Sequence, residues 1–159
     1  MPVGAVLAVL DVLEAAGVRV WLDGGWGVDA LVGRQTRPHR DVDLALDVRD
    51  EDAALTALRT LGYVIETDER PTRVELAAPG ASWVDLHPLT FEDSRDGIQS
   101  GPAGERWVYP ADCFVTGSLS GRAVRCISAA QQLLFHSGYE PRDQDRHDLD
   151  LLRQLLADG

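Results

Sequence analysis

Asp41 and Asp43 stand one residue apart in His39-Arg-Asp-Val-Asp43, and a third acid, Asp85, stands in Trp83-Val-Asp-Leu-His87. Residues i and i+2 of a strand face the same side, with Cα atoms ~6.5–7 Å apart. The carboxylates of Asp41 and Asp43 can therefore converge on one cation, or on two held ~3.5–4 Å apart. By the same alternation Trp83, Asp85 and His87 share a face, and Asp85 joins the pair if the two strands are neighbours. Three carboxylates in one pocket raise one another's pKa and cost stability unless something positive sits among them. Hard oxygen donors at a partly open site suit Mg²⁺, which keeps some of its water and takes phosphate oxygens as further ligands. Taken alone, Asp-x-Asp fits a solvated strand face as well as it fits a metal site.

Gly24-Gly25, between an apolar run and a short helical segment, shifts that balance. Backbone N–H groups at such a turn, aided by the positive end of a helix, can hold phosphates. Arg34, Arg37 and Arg40 lie between the turn and the Asp pair, where they could neutralise the same phosphates. Trp26 follows the glycines and is a further candidate for the phosphate-ligand site, although an aromatic there packs more often than it stacks. His87 and Tyr139 are candidates for contacting a second substrate. His39 and His136 read more simply as structural histidines. The acids from Arg142 to Asp150 read mainly as a solvated helix face with favourable charge at its N-terminus, or otherwise as an acidic wall meeting a cationic acceptor.

These residues need elements to hold them. Val3, Val6, Leu7, Leu10 and Leu13 form a helical stripe ended by Gly17, and Val18–Leu22 is a short strand. Trp26–Val32 reads as a brief helix, and residues 33–39 as a basic loop. Asp41–Val48 alternates strictly, with Asp41, Asp43, Ala45 and Asp47 opposite Val42, Leu44, Leu46 and Val48. Asp50 starts a helix that Gly62 ends. Strands follow at Tyr63–Glu66, Arg73–Ala77 and Trp83–His87, then a long polar loop from Glu92 to Gly104. Short strands follow at Trp107–Tyr109, Phe114–Thr116 and Ala123–Cys126. Ser128-Ala-Ala-Gln131 has the capping-box pattern of a helix through His136, and a last helix spans about Asp143–Leu156. The expected fold class is α/β (α+β): a mixed central sheet with flanking helices and a C-terminal helical portion. It forms one domain over residues 1–159, with a core to about residue 110 and the helical part at about 127–159.

Composition narrows the partners. Net charge is −11 and all 15 basic residues are Arg. Nucleic acid is an unexpected partner for such a surface, which favours cations instead. The lack of Lys removes any P-loop or Schiff-base chemistry. No apolar run approaches the ~20 residues that span a bilayer, and the first 17 residues lack a basic start and cleavage site. No membrane association and a cytoplasmic location are the expectation. Cys113 and Cys126 match no metal-ligand spacing and read as small buried residues.

Gly-Gly, then a strand with Asp-x-Asp, then an Asp on a later strand resembles the DNA polymerase β-like nucleotidyltransferase superfamily. The stretches Trp21-Leu-Asp-Gly-Gly-Trp-Gly-Val-Asp29, His39–Asp43, Val84-Asp-Leu-His87 and Phe135-His-Ser-Gly-Tyr139 are similar to its small antibiotic branch, the lincosamide and aminoglycoside 2''-type adenylyltransferases. The resemblance runs from about Val18 to the C-terminus. It implies that Asp41 and Asp43 hold Mg²⁺, with a two-metal site expected, and that Asp85 joins them or acts as base. It implies that Gly24 and Gly25 cradle the triphosphate of an NTP, with ATP expected, and that an acceptor hydroxyl attacks the α-phosphorus and expels pyrophosphate. The superfamily's usual Ser after the first Gly is absent here, so backbone groups and arginines must make that contact. A homodimer would complete an acceptor pocket of modest depth. Two alternatives stand beside this reading: an antitoxin-type module that binds or adenylylates a partner protein, and an inactive homologue. Gly25-Trp-Gly-Val-Asp-Ala30 also fits a dinucleotide fingerprint, but the helix after it is too short for a βαβ crossover.

Overall fold

The computed structural model describes residues 1–80, 82–136, 140 and 143–158. Helix α1 (Val3–Ala15) leads into β1 (Val20–Asp23), helix α2 (Gly24–Val32) and β2 (Asp41–Asp47). A short 3-10 turn then opens α3 (Glu51–Arg59), followed by β3 (Val64–Glu69), β4 (Arg73–Ala78) and β5 (Ser82–Phe91). The hairpin β6 (Gly97–Ser100) and β7 (Arg106–Tyr109), strands β8 (Phe114–Leu119) and β9 (Arg122–Ile127), and helices α4 (Ala129–Phe135) and α5 (Asp143–Asp158) complete the chain. The sheet is mixed and runs β3-β4-β5-β2-β1-β9-β8, with β6 and β7 branching from the far end of β5. Among the described residues no helix is long and apolar enough to cross a membrane.

The alternation in β2 decides which face does what. Val42, Leu44 and Leu46 are fully buried in the main core with Leu22, Val84 and Leu86, under α1 and α3. The acids point to the opposite face. That face is closed at one end by a second apolar cluster of Trp21, Ala45, Leu89, Tyr109, Cys113 and Ile127, joined by Phe91, Phe114 and Phe135. Both cysteines are buried in these cores as free thiols, and burial pushes their pKa up to about 12 and about 11.

Three expectations need correction. Helix α2 begins at Gly24, so both glycines lie in its first turn with Asp23 as N-cap. Strand β5 does not stop at His87 but runs through Pro88 to Phe91. Its partner β4 reaches only to Leu86 and its partner β6 begins at Thr90, so Pro88 falls in the gap between them, where a missing N–H costs least. The region from Glu92 to Gly104 is not one loop, because it contains β6, which pairs with β5 and β7. Two of that strand's four residues are Gly97 and Gln99, buried inward, so polarity hid it. Gly97 has no room for a Cβ, which would lie 2.8 Å from Leu89 Cδ1.

At the start of α4, Ser128 accepts from the Gln131 backbone as a cap, but Gln131 does not reach back. Its side chain donates instead to the Val108 carbonyl (2.9 Å) and ties α4 to the β6–β7 hairpin. Helix α2 comes equally close to β8, where a Cβ at Gly117 would meet the Ala30 carbonyl oxygen at 2.4 Å. Backbone cannot yield as a side-chain tip can. Gly117→Ala is expected to lose about 1–3 kcal/mol of stability by overpacking, read as a lower urea midpoint at unchanged m-value.

Candidate active site

The register brings four carboxylates into one transverse row. Asp43 lies opposite Asp23 of β1 on one side and Asp85 of β5 on the other, and Asp85 lies opposite Glu75 of β4. Register partners share a face with Cβ atoms about 4.5–5.5 Å apart. Asp41, one step towards the open end of β2, lies opposite Trp83.

Asp85, Glu75 and Asp43 each meet a basic side chain, whereas the hydrogen-bond donors to Asp23 are neutral. Arg73 donates to Asp85 Oδ2 (2.6 Å) and to Glu69 (2.7 Å). Arg40 donates to Glu75 (2.6 Å), lies 3.5 Å from Asp41 and covers the Trp83 ring at 4.9 Å. His87 Nε2 lies 3.3 Å from Asp43 Oδ1. Asp23 accepts from the Gly24 N–H (2.8 Å) and from the Tyr109 hydroxyl (3.2 Å).

The two glycines bring helix α2 against this row. Gly24 has φ +55°, and a Cβ there would lie 2.3 Å from Asp43 Oδ2. A Cβ at Gly25 would meet His39 Nδ1 at 2.5 Å and an Arg37 terminal nitrogen at 2.6 Å. The positive end of α2 therefore abuts Asp43 directly, which favours negative charge there. Beside it opens a cleft of ≈ 420 Å³, lined by Gly24, Gly25, Arg40, Asp41, Asp43 and, from α5, Asp145 and Asp148.

Burial raises the pKa of Asp23, Asp41 and Asp85, and repulsion from Asp43 adds to it at all three. Burial lowers that of His87, but its hydrogen bond to Asp43 and the charges of Asp43, Asp85 and Asp23 outweigh this and lift it to about 8.

The structure sorts the residues expected from sequence. Asp41, Asp43 and Asp85 share one face, with Asp43 and Asp85 paired in register and Asp41 at the rim. Gly24, Gly25 and Arg40 line the cleft. Trp26 does not: it is 1 % exposed and packs against the His39 ring at 4.5 Å, so it offers no face to a nucleotide. Arg37 borders the cleft, but its guanidinium is spent on Asp148 (Nε–Oδ1 2.9 Å) and on the Pro38 carbonyl, so it clamps α5 to the loop instead of standing free for phosphate. His87 turns both ring nitrogens inward, to Asp43 and Gln99. Tyr139 lies outside the described residues.

The acids of α5 are not uniformly solvated either. Asp145 and Asp148 are 4 % and 2 % exposed, because they face the Arg37 side of the cleft. His39 is buried too, held by Asp29 at 2.5 Å, and Asp29 also binds the Thr36 N–H and hydroxyl. Asp29, a buried residue of α2, thereby fixes the loop leading to Asp41.

Sequence reasoning missed Asp23, Glu75, Gln99 and Tyr109. The period-2 pattern of Val20–Asp23 and Arg73–Ala78 puts Asp23 and Glu75 on the polar face and could have found them. Gln99 and Tyr109 carry no such signal.

The site fits a divalent cation. Asp85 Oδ1 is buried and has no hydrogen-bond partner among the described residues. Asp43, Asp85 and His87 each offer one ligand atom within 4.8 Å of the others. An unpartnered buried carboxylate oxygen facing a second carboxylate is costly on its own and suits a hard ion.

Mixed sheet, glycine turn and carboxylate row together define a nucleotidyltransferase. The family model for aminoglycoside-2''-adenylyltransferases matches residues 5–152. A lincosamide resistance protein of Staphylococcus haemolyticus is 38% identical over 147 residues, spanning 92% of this chain and 91% of the relative. A 2''-aminoglycoside nucleotidyltransferase of Klebsiella pneumoniae is 31% identical over 126 residues, 77% of this chain and 67% of the relative. Among solved structures, the lincosamide antibiotic adenylyltransferase LnuA with lincomycin bound superposes with a TM-score of 0.85 at 37% identity, over 94% of this chain and 95% of that one. The solution structure of ANT(2'')-Ia gives 0.78 at 21% identity, over 95% of this chain and 82% of that one, a likeness of fold. The chain belongs to the aminoglycoside-2''-adenylyltransferase family, which implies a nucleotide co-substrate and a divalent metal.

Two outcomes follow for the site. Asp23, Asp41 and Asp85 have folded pKa values above the unfolded 3.8, so the folded state binds more protons above pH 3.8 and gains stability as pH falls towards that value. His87 acts in the same direction: its contribution is complete below 6.5 and is lost as pH rises through about 8. With EDTA present, Tm should therefore rise from pH 8.5 to pH 5.5, and excess Mg²⁺ should flatten the trend by favouring the ionised acids. Gly24→Ala, strained at positive φ and colliding with Asp43, should lose about 1 kcal/mol or more in chemical denaturation, and with it the Mg²⁺ effect on Tm.

Proposed function

We propose that this chain transfers a nucleoside monophosphate, AMP from ATP, to a hydroxyl of a small antibiotic-like acceptor and releases pyrophosphate. The observation that supports this best is the pairing of Asp43 with Asp85, whose buried Oδ1 has no hydrogen-bond partner, beside the N-terminus of α2. Asp41, Asp43 and Asp85 would hold Mg²⁺, two ions by the superfamily's pattern. When bound, the metal supplies neutralisation of charge on the triphosphate and on the attacking and leaving oxygens.

The chain's own groups do the rest. The first turn of α2 presents backbone N–H groups to the phosphates, and Arg40, half-exposed on Trp83, adds a positive charge at the rim. Asp85 is oriented by Arg73 through Oδ2, which leaves Oδ1 as the one oxygen to face the metal or, where Asp85 serves as base instead, to receive the acceptor's proton. The raised pKa of Asp85 suits a base that must hold that proton during transfer. A bond forms between the acceptor oxygen and the α-phosphorus as the bond to pyrophosphate breaks. Placement and charge contribute most to such a transfer, so no protein nucleophile is needed.

The acceptor enters along the side of the cleft bordered by Asp145, Asp148 and His136, where Arg37 already neutralises Asp148. A second copy of the chain would complete the pocket, and neither nucleic acid nor membrane takes part. The near-full-length match to a lincosamide resistance protein favours a lincosamide over an aminoglycoside.

The test is pyrophosphate release with each NTP across a panel of lincosamides and aminoglycosides. Lincosamide-dependent release with ATP and Mg²⁺ is expected, and release with no member of the panel would overturn the reading. Asp85→Asn should lower kcat by about 10²–10⁴-fold, the usual contribution of a general base, while nucleotide affinity is kept. Asp43→Asn should abolish turnover and the Mg²⁺-dependent rise of Tm together.

A further inference from the structure

Gln99 is a buried polar residue that the proposed chemistry leaves unused. It is 4 % exposed, on a strand hidden within a polar stretch. Its Nε2 lies 2.9 Å from the Thr72 carbonyl oxygen and 3.0 Å from His87 Nδ1, and its Oε1 lies 3.0 Å from the Tyr109 hydroxyl, whose single proton it shares with Asp23. A backbone carbonyl can only accept, so the end of the amide facing Thr72 must be the NH₂ group. The second proton of that group points at His87. The flipped amide would set Oε1 against the Thr72 carbonyl, two acceptors with no proton between them, at the full cost of a buried unsatisfied group.

We propose that Gln99 is a positioning residue: it fixes the proton of neutral His87 on Nε2, which makes His87 a hydrogen-bond donor to Asp43 and not a ligand of the cation. An imidazole can bind a metal only through a nitrogen that carries a lone pair. Nδ1 gives its lone pair to Gln99, and Nε2, 3.3 Å from Asp43 Oδ1, carries the proton. The ring thereby holds one Asp43 oxygen in place, and the cation is left to carboxylates alone, an oxygen set that suits magnesium. The ordinary arrangement in metal sites is the reverse, a ligating histidine that donates its other N–H outward. Here Thr72 and Gln99 present a donor where that pattern needs an acceptor. The inference rests on the metal site proposed above and assigns its inner and outer members.

The experiment is nitrogen NMR on protein carrying ¹⁵N-histidine, followed upward in pH until the His87 ring carries a single proton. Long-range ¹H–¹⁵N correlations report which ring nitrogen holds the proton, and no turnover is needed. The wild type should show His87 protonated on Nε2, and the proton should stay there when Mg²⁺ is added. A proton on Nδ1, or loss of the Nε2 proton on adding Mg²⁺, would overturn the inference. Gln99→Glu, which can only accept, should move the proton to Nδ1. Tyr109→Phe, which leaves the Thr72 contact intact, should not move it, and a switch in that variant would show that Thr72 does not set the amide. Gln99→Met should weaken Mg²⁺ binding about 10–100-fold, the usual effect of removing an outer-shell partner. Unchanged Mg²⁺ affinity in a folded Gln99→Met protein would also count against the inference. A protein with the expected spectrum but no nucleotide transfer would keep this inference and remove the function reading, and the opposite pair of results would do the reverse.

Discussion

Everything about this molecule answers to the repulsion among Glu75, Asp85, Asp43 and Asp23, which stand side by side on four neighbouring strands. Two unit charges about 5 Å apart repel by about 3 kcal/mol at an effective dielectric near 20. A charge-assisted hydrogen bond returns about 1.5–3 kcal/mol. One arginine on Asp85 can therefore offset a single neighbour but not two. The centre of the row, between Asp43 and Asp85, stays electrostatically underpaid, and that is where a cation gains most.

The ends of the row are closed in different ways. Glu75 and Asp41 share Arg40 at the solvent side, where the guanidinium lies over Trp83 and stays more than half exposed. Asp23 is closed by backbone and phenol: it caps α2 and accepts from Tyr109. Only the middle keeps a buried carboxylate oxygen without a partner among the described residues. Stability is thus low where the ligand charge belongs, a usual relation between a strained site and its function.

Holding such a row requires support on three sides. Beneath it, alternation in β2 and β5 places Val42, Leu44, Val84 and Leu86 in the main core, so the acids cannot rotate away without exposing apolar surface. On one flank, Asp29 fixes Thr36 and His39, and Arg37 ties the same loop to Asp148 of α5. On the other, the β6–β7 hairpin carries Gln99 and Tyr109 up to His87 and Asp23. The hairpin explains why a polar stretch must be ordered: its inward side chains belong to the site.

Asp41, Asp43, Asp85 and the glycine pair were legible in the linear chain because period 2 and glycine's missing Cβ are local properties that need no partner to be read. So were the fold class and most elements, since apolar periodicity reports which face seeks a core. The neighbourhood of β2 and β5, the Asp23–Asp43 pairing, the burial of Trp26 and the capture of Arg37 by a residue 111 positions away were decided only by tertiary structure. Strand β6 and Gln99 belong there too. A polar side chain reads as solvated until a distant group gives it a hydrogen bond, and whether that partner exists is a property of the packed molecule, not of the residue.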